Sequence, residues 1–376
     1  MGAKVSLRGC ADYNPAGIKR VVQSAVEALG GIGAFVKTGE TVLLKPNMLA
    51  PASPEKAVTT HPSVIRAVAE LVLEAGGKPF IGDSPAVPGF KHLCKATGIA
   101  GVAEKLGIPV VELAKSAEYK QGDKKLFRIL EISEMAMEAD RIINLPKLKT
   151  HSQMFLTLGV KNIFGCVVGA RKAQWHFKAG MDRMFFARML VGLYHAVSPD
   201  LTILDGVIGM EGDGPGTSGV PRNCGVVAAS SDAVALDRVI LEILGATPEQ
   251  MYTIQAARET GVGETDLSKI EISGEPLEFF RVENFAFPPK IGKVPFGPPM
   301  VRRFILNHLT AKPKEARDKC TLCNKCVNIC PTEVISVKNE RLKFDYDKCI
   351  RCYCCVEVCP EGAMRPTEPM LLRITG

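Results

Sequence analysis

The sequence predicts an α/β protein, with a mostly parallel sheet and flanking helices, followed by a small cysteine-rich α+β domain. Three observations predict this. Short apolar runs alternate with amphipathic helical stretches through residues 15–273, the pattern of βαβ units. The links between them are short. Nine of the 13 cysteines then fall between residues 320 and 359. A chain of 376 residues exceeds what one compact core usually holds, so more than one domain is expected.

Taken in order, Ile18, Val21, Val22, Ala25, Val26 and Leu29 form an apolar stripe that predicts a helix over 15–30. Asn14 is its expected cap, with Pro15 in the first turn and Gly30-Gly31 at the end. Strands are expected at 41–44, 79–81, 109–112, 141–145, 201–204, 225–229 and 270–273. Helices are expected at 62–75, 89–97, 100–106, 182–197, 232–244 and 249–260. Residues 118–132 read as a polar hairpin and 206–219 as a glycine-rich loop. The α/β domain spans 1–275. A Pro/Phe-rich linker over 276–310 packs on the surface, with a short helix at 300–310. The cysteine-rich domain occupies 311–369, where Val334–Val337 and Leu342–Phe344 flank a predicted turn.

The cysteines carry the strongest signal. Cys320, Cys323, Cys326 and Cys330 precede Pro331, and Cys349, Cys352, Cys355 and Cys359 precede Pro360. Each copy reads C-x2-C-x2-C-x3-C-P, a run that holds [4Fe–4S] clusters. Structural zinc uses pairs of cysteines rather than groups of three with a Cys-Pro. A disulfide framework suits small secreted domains, and residues 1–10 lack the apolar stretch of a signal peptide. The segment resembles the two-cluster bacterial ferredoxins over residues 311–369. The resemblance implies a ferredoxin-like bicluster domain with two [4Fe–4S] clusters and crossed ligands. One cluster would take Cys320, Cys323, Cys326 and Cys359. The other would take Cys349, Cys352, Cys355 and Cys330. Cys354 is left as a non-ligand.

In open parallel sheets, ligands bind beyond the carboxyl ends of the strands. Four predicted strands end in polar clusters: Lys45 and Asn47; Asp83 and Ser84; Lys147, Lys149 and His151; and Asp205, leading to Glu211 and Asp213. Each has a plain alternative. His61 could only cap a helix, Lys147 and Lys149 could be solvated, and the glycines after Asp205 could only make turns. The segments LLKPN (43–47), THP (60–62), GDSP (82–85), PKLKTH (146–151), GVKNIFG (159–165), DGVIGMEGDGP (205–215) and SSDAVALD (230–237) resemble the DUF362 family in this order. That resemblance covers residues 40–245. It implies iron–sulfur association and supplies no agreed catalytic residues.

Lys45, Lys147, Lys149 and Lys161 on one rim would attract a carboxylate or phosphate. With them, Asn47, Asp83, Ser84, Glu211 and Asp213 are candidate substrate-binding residues. His151, Lys147, Lys149 and Asp205 are the candidate catalytic residues, with His151 as acid or base. Asp83, Asp205, Glu211 and Asp213 could hold a divalent cation through oxygen ligands, or could equally pair with lysines. No GxxxxGK[ST] or strand-linked GxGxxG occurs, so P-loop and nicotinamide or flavin chemistry lack support.

The net charge of +7 is modest and the basic residues are dispersed, which argues against nucleic acid. No run approaches membrane-spanning length, and scattered free thiols beside iron–sulfur ligands suit a reducing, cytoplasmic setting. The favoured function is an iron–sulfur oxidoreductase that takes electrons from a soluble partner protein and passes them to an anionic small molecule. One alternative is an electron-transfer or assembly protein without turnover. Another is a non-redox α/β enzyme with structural clusters. Oligomeric state is not encoded in these patterns.

Overall fold

The computed structural model describes residues 2–86, 89–121, 126–288 and 298–367. The large domain contributes β1 (Lys4–Gly9), β2 (Thr41–Pro46), β3 (Lys78–Asp83), β4 (Val110–Glu112), β5 (Ser116–Lys120) and β6 (Ile129–Ser133). It continues with β7 (Arg141–Leu145), β8 (Lys147–His151), β9 (Phe155–Thr157), β10 (Leu201–Gly212), β11 (Gly219–Ser230) and β12 (Glu271–Gly274). The main sheet runs β12-β1-β11-β10-β7-β2-β3-β4, with β8 and β9 branching from β10. Pairing is parallel throughout except where β11 meets β1 and β10, and where β9 meets β8. The expected α/β class is therefore the observed one.

Alternation along the strands builds two cores. Val42 and Leu44 face one side with Ile81, Ile143 and Ile203, covered by helices Pro15–Glu27, Pro62–Glu74 and Ile99–Leu106. Leu43, Ile142 and Leu204 face the other, covered by helices Arg183–Val197, Ala233–Ile243 and Tyr252–Thr260. Local chemistry sets the ends. Asn14 Oδ1 accepts from Ala16 N and Gly17 N to start the first helix, which stops at Glu27 before Gly30 and Gly31 at positive φ. The polar hairpin is β5 paired with β6, and its turn at 122–125 lies outside the described residues.

Three expectations need correction. Residues 201–230 are two long antiparallel strands, not two short strands around a loop. The glycines read as loop formers are there for crossing space: a Cβ on Gly209 would stand 2.8 Å from Leu148 Cδ2, and one on Gly206 2.7 Å from Val226 Cγ1. β1, β8, β9 and helix Arg171–Ala179 went unpredicted. The start of the expected surface linker is partly core, since Phe280 and Phe285 are buried against the second helical layer. Residues 289–297 of that segment lie outside the description.

Helix Pro299–Leu309 leads into the small domain. There β13 (Pro313–Glu315) pairs with β16 (Met364–Pro366), and β14 (Ile335–Lys338) pairs with β15 (Arg341–Phe344). Short helices Lys325–Asn328 and Cys354–Glu357 carry the middle of each cysteine run. The small domain docks on the β10–β11 turn. Thr217 Oγ1 donates to Cys359 O at 2.7 Å and Ser218 Oγ to Met364 O at 2.9 Å. A Cβ on Gly216 would stand 2.9 Å from Glu357 O, so this glycine admits the partner backbone. Val358 enters the core of the first helical layer.

Candidate functional site at the domain junction

A cavity with an empty volume of about 730 Å³, its mouth included, lies between the two domains. Its large-domain wall starts from the exits of parallel strands. After β2, Asn47 is fixed by its amide, which donates to Asn162 Oδ1 at 2.9 Å. After β3, Asp83 accepts from Met48 N at 2.9 Å and Ser84 N at 2.7 Å, and its Oδ1 lies 3.1 Å from Lys45 Nζ. A Cβ on Gly165 would overlap both partners of this buried ion pair, so glycine is required where the chain crosses it. Lys45 is buried behind Asp83 and does not line the cavity.

β8 carries Lys147, Lys149 and His151 two residues apart, on one face of the strand. All three are 1% exposed, which removes the solvated alternative. Lys149 Nζ donates to Asn47 Oδ1 at 2.8 Å and Val58 O at 2.6 Å, and burial pulls its ammonium down to about 7. His151 Nδ1 accepts from Gln153 N and Met154 N, which leaves the ring proton on Nε2. Nε2 lies 3.0 Å from Glu357 Oε1 but off the N–H axis, a close polar contact rather than a linear hydrogen bond. Burial pulls the imidazolium down to about 4, so His151 is neutral at pH 7. Burial opposes the Glu357 charge, but the cationic neighbours outweigh it and its carboxyl falls to about 2.

Two further walls complete the cavity. Asp237 in helix Ala233–Ile243 accepts from Gly159 N at 2.7 Å and Val160 N at 3.1 Å, fixing the turn that presents Lys161. Lys161 is 8% exposed, makes no hydrogen bond through Nζ among the described residues, and sits over the Phe164 ring. Burial lowers its ammonium as well. Helix Arg171–Ala179 supplies Lys172 and His176, four residues apart and so on one face. Lys172 Nζ donates to Ser84 O at 2.6 Å and to Val167 O, and burial lowers it to about 8. His176 stacks on Phe186 at 4.4 Å, its Nδ1 is unpartnered, and burial lowers it to about 3. Both were missed in the sequence, where their spacing was the available signal. Thr157 on β9 adds a buried hydroxyl without a hydrogen-bond partner among the described residues. The small domain contributes Ile329, Cys354, Glu357 and Val358.

Other predicted site residues lie elsewhere. Lys147 Nζ donates to Asp205 Oδ2 at 2.8 Å and Tyr13 OH at 2.7 Å, and Asp205 also accepts from Tyr13 OH and His61 N. Tyr13 stacks on His61 at 3.6 Å. This is a closed, buried network outside the cavity lining, so Lys147 and Asp205 are not brought to the site. His61 caps helix Pro62–Glu74 through Nδ1, the plain alternative. Glu211 accepts from Ala286 N and faces Arg222, and neither it nor Asp213 lines the cavity. Among the described residues, no group of three His, Cys, Asp or Glu donors could hold a single metal ion. The expected divalent cation at Asp83, Asp205, Glu211 and Asp213 is therefore unsupported.

The small domain has two hollows with empty volumes of about 350 and 330 Å³, their mouths included. Cys320, Cys323, Cys326 and Cys359 line the outer one, with Leu322, Leu342 and Met364. Cys330, Cys349, Cys352 and Cys355 line the inner one, with Val334, Ile335 and Phe344. Each collects three cysteines of one motif copy and the fourth of the other. Ala363 N donates to Cys359 Sγ at 3.2 Å. Thiol sulfurs around an apolar hollow, rather than converging on a point, fit a cube of iron and sulfide better than one ion. Cys323 is exposed, whereas Cys352 and Cys355 are buried. Cys354 belongs to both the inner hollow and the junction cavity, and a hydrogen bond from its thiol pulls the Cys352 thiol below its usual range.

Fold and site together define an iron–sulfur protein built from an α/β domain and a docked small domain. Residues 319–363 match a 4Fe-4S dicluster domain, and residues 42–242 match a domain of unknown function, DUF362. The chain belongs to the DUF362 family. A thylakoid-associated protein of Synechocystis sp. is 42% identical over 308 residues, covering 82% of this chain and 95% of that protein. The lactate racemase apoprotein of Thermoanaerobacterium thermosaccharolyticum aligns with a TM-score of 0.41 and 14% identity, over 61% of this chain and 55% of that one. The chain thus spans about half the length of that structure. No helix of the described residues is long and apolar enough to cross a membrane.

Proposed function

We propose that this protein is an oxidoreductase that reduces an anionic small molecule held in the junction cavity. The observation that carries the reading is Cys354, which lines both the inner cysteine hollow and the lysine-walled cavity. A [4Fe–4S] cluster in each hollow, ligated in the crossed pattern, would supply one-electron transfer from a soluble carrier protein at the outer end to the cavity at the inner end. A two-electron reduction consumes two electrons, delivered singly by the carrier, and two protons.

The chain's own residues divide the remaining work. Lys161 and Lys172 attract and orient the anion. Lys149 is the better acid than His151: an ammonium lowered to about 7 is poised to give a proton at neutral pH, whereas a neutral imidazole is a poor acid. His151 and Thr157 serve as hydrogen-bonding groups. The apolar walls of Phe164, Ile329 and Val358 keep water out, which strengthens every charge interaction inside.

The test is anaerobic. The clusters are reduced with dithionite, freed of excess reductant and mixed with a panel of carboxylates and phosphate esters. Reoxidation by one chemical class, abolished in Lys149→Met, is the expected result. Reoxidation by protein carriers alone, with every small molecule inert, would turn the reading towards an electron-transfer protein.

A further inference from the structure

The cavity is charged beyond what its own carboxylates can neutralise. Asp83 is taken by Lys45 at 3.1 Å, which leaves Glu357 facing the ammoniums of Lys149, Lys161 and Lys172. Among the described residues, none of these three lysines forms an ion pair. Lys149 and Lys172 each spend two donors on neutral oxygens, so each keeps one N–H, and Lys161 keeps all three. Among the described residues, Thr157 Oγ1 and His176 Nδ1, on residues each 3% exposed, add two unpartnered polar atoms to the lining of the same cavity. Burying charge without a counter-charge is expensive, and orphaned polar atoms add to that cost. A wall with both defects is complete only when something anionic occupies it.

We propose that the cavity binds a small molecule with two negative charges on oxygen, either a phosphate group or a pair of carboxylates, held by Lys149, Lys161, Lys172 and Thr157. The charge follows from the protein's own side chains: with a bound anion holding all three lysines protonated, two ammoniums exceed the single carboxylate of Glu357. A monoanion leaves one ammonium uncompensated. The inference deepens the reductase reading and rests on it for the fate of the ligand, while the binding itself stands on the cavity alone.

The test is calorimetric binding to the iron-loaded full chain at constant ionic strength, with inorganic phosphate, succinate and acetate as probes. Phosphate or succinate is expected to bind about tenfold or more tightly than acetate, in line with charge-assisted hydrogen bonds to a second ammonium. Which of the two wins separates a phosphate ligand from a dicarboxylate. Lys161→Met should weaken the better probe about tenfold, and the near-isosteric Thr157→Val should weaken it about threefold, each without loss of iron. Equal affinity for acetate, phosphate and succinate overturns the proposal, as does a dianion whose affinity survives both substitutions. A dianion that binds and responds to both substitutions, but whose dicarboxylate or phosphate derivatives never reoxidise the reduced clusters, upholds this inference and overturns the reductase reading. A neutral or monoanionic compound that does reoxidise them, with no dianion bound, does the reverse.

Discussion

Lys147 and Lys149 sit two residues apart on the same strand, equally buried, and differ in almost every other respect. Lys147 belongs to a closed set: its ammonium meets Asp205 and Tyr13, Asp205 also takes the His61 backbone N–H, and Tyr13 stacks on His61. Among the described residues, Lys149 has two neutral acceptors and no carboxylate partner, on the edge of a cavity where Lys161 and Lys172 are also without an ion pair. A buried charge whose partners are all present holds a structure together. A buried charge whose counter-ion is missing points to a ligand.

The largest expected effect breaks this comparison if it fails. Lys147→Met strands Asp205 in the core and should cost about 3–5 kcal/mol in urea unfolding of the anaerobic protein. Lys149→Met removes an uncompensated charge and should leave stability unchanged or raised while abolishing reduction. Equal losses in the two variants would mean that the networks do not differ as described.

Next in size is Gly165→Ala. A side chain there collides with Asp83 in the cavity wall and with Lys45 behind it. A loss of about 1–3 kcal/mol is expected, as for an overpacked core, together with weakened anion binding. A variant with native stability and affinity would show that the crossing has room to spare.

A smaller effect sharpens the charge argument. Glu357→Gln deletes the cavity's unpaired carboxylate and should tighten binding of the preferred anion about three- to tenfold. Weaker binding would mean that Glu357 orients the lysines rather than competing with the ligand. The mildest test is pH. Lys149 is lowered to about 7, so its acidic form is fully present below that value and disappears as pH rises through it. Single-turnover reduction should fall across that range, with the limb retained in His151→Gln. A limb that vanishes with His151 instead would return the acid role to the histidine.

The sequence made some of this legible because spacing encodes it. The cysteine runs separate three ligands from a fourth, and the strand exits carry Asn47, Asp83, Ser84 and Lys149 as an open parallel sheet leads one to expect. Lys172 and His176 were hidden because helix Arg171–Ala179 buries mainly His176 and Ala179, too few apolar positions to announce a helix. Lys147 and Lys149 were inseparable by pattern, because what distinguishes them is Tyr13, which is more than 130 residues away in sequence. The glycines from 206 to 219 looked like a ligand loop. Gly206 and Gly209 instead leave room for the Leu148 side chain beside β10, and Gly216 lets the small domain's backbone settle on the turn. Composition records that backbone must come close, not whose backbone it is.

Under the proposed function, the inner cluster and the anion share one site. The sharpest check is EPR of the dithionite-reduced protein, recorded with and without the tightest-binding anion. In parallel, Cys359→Ala removes a thiol from the outer hollow and so identifies which signal belongs to the outer cluster. The anion is expected to shift or broaden the inner signal and to leave the outer one unchanged. An anion that binds stoichiometrically without altering the inner signal, or that alters the outer one alone, would contradict it.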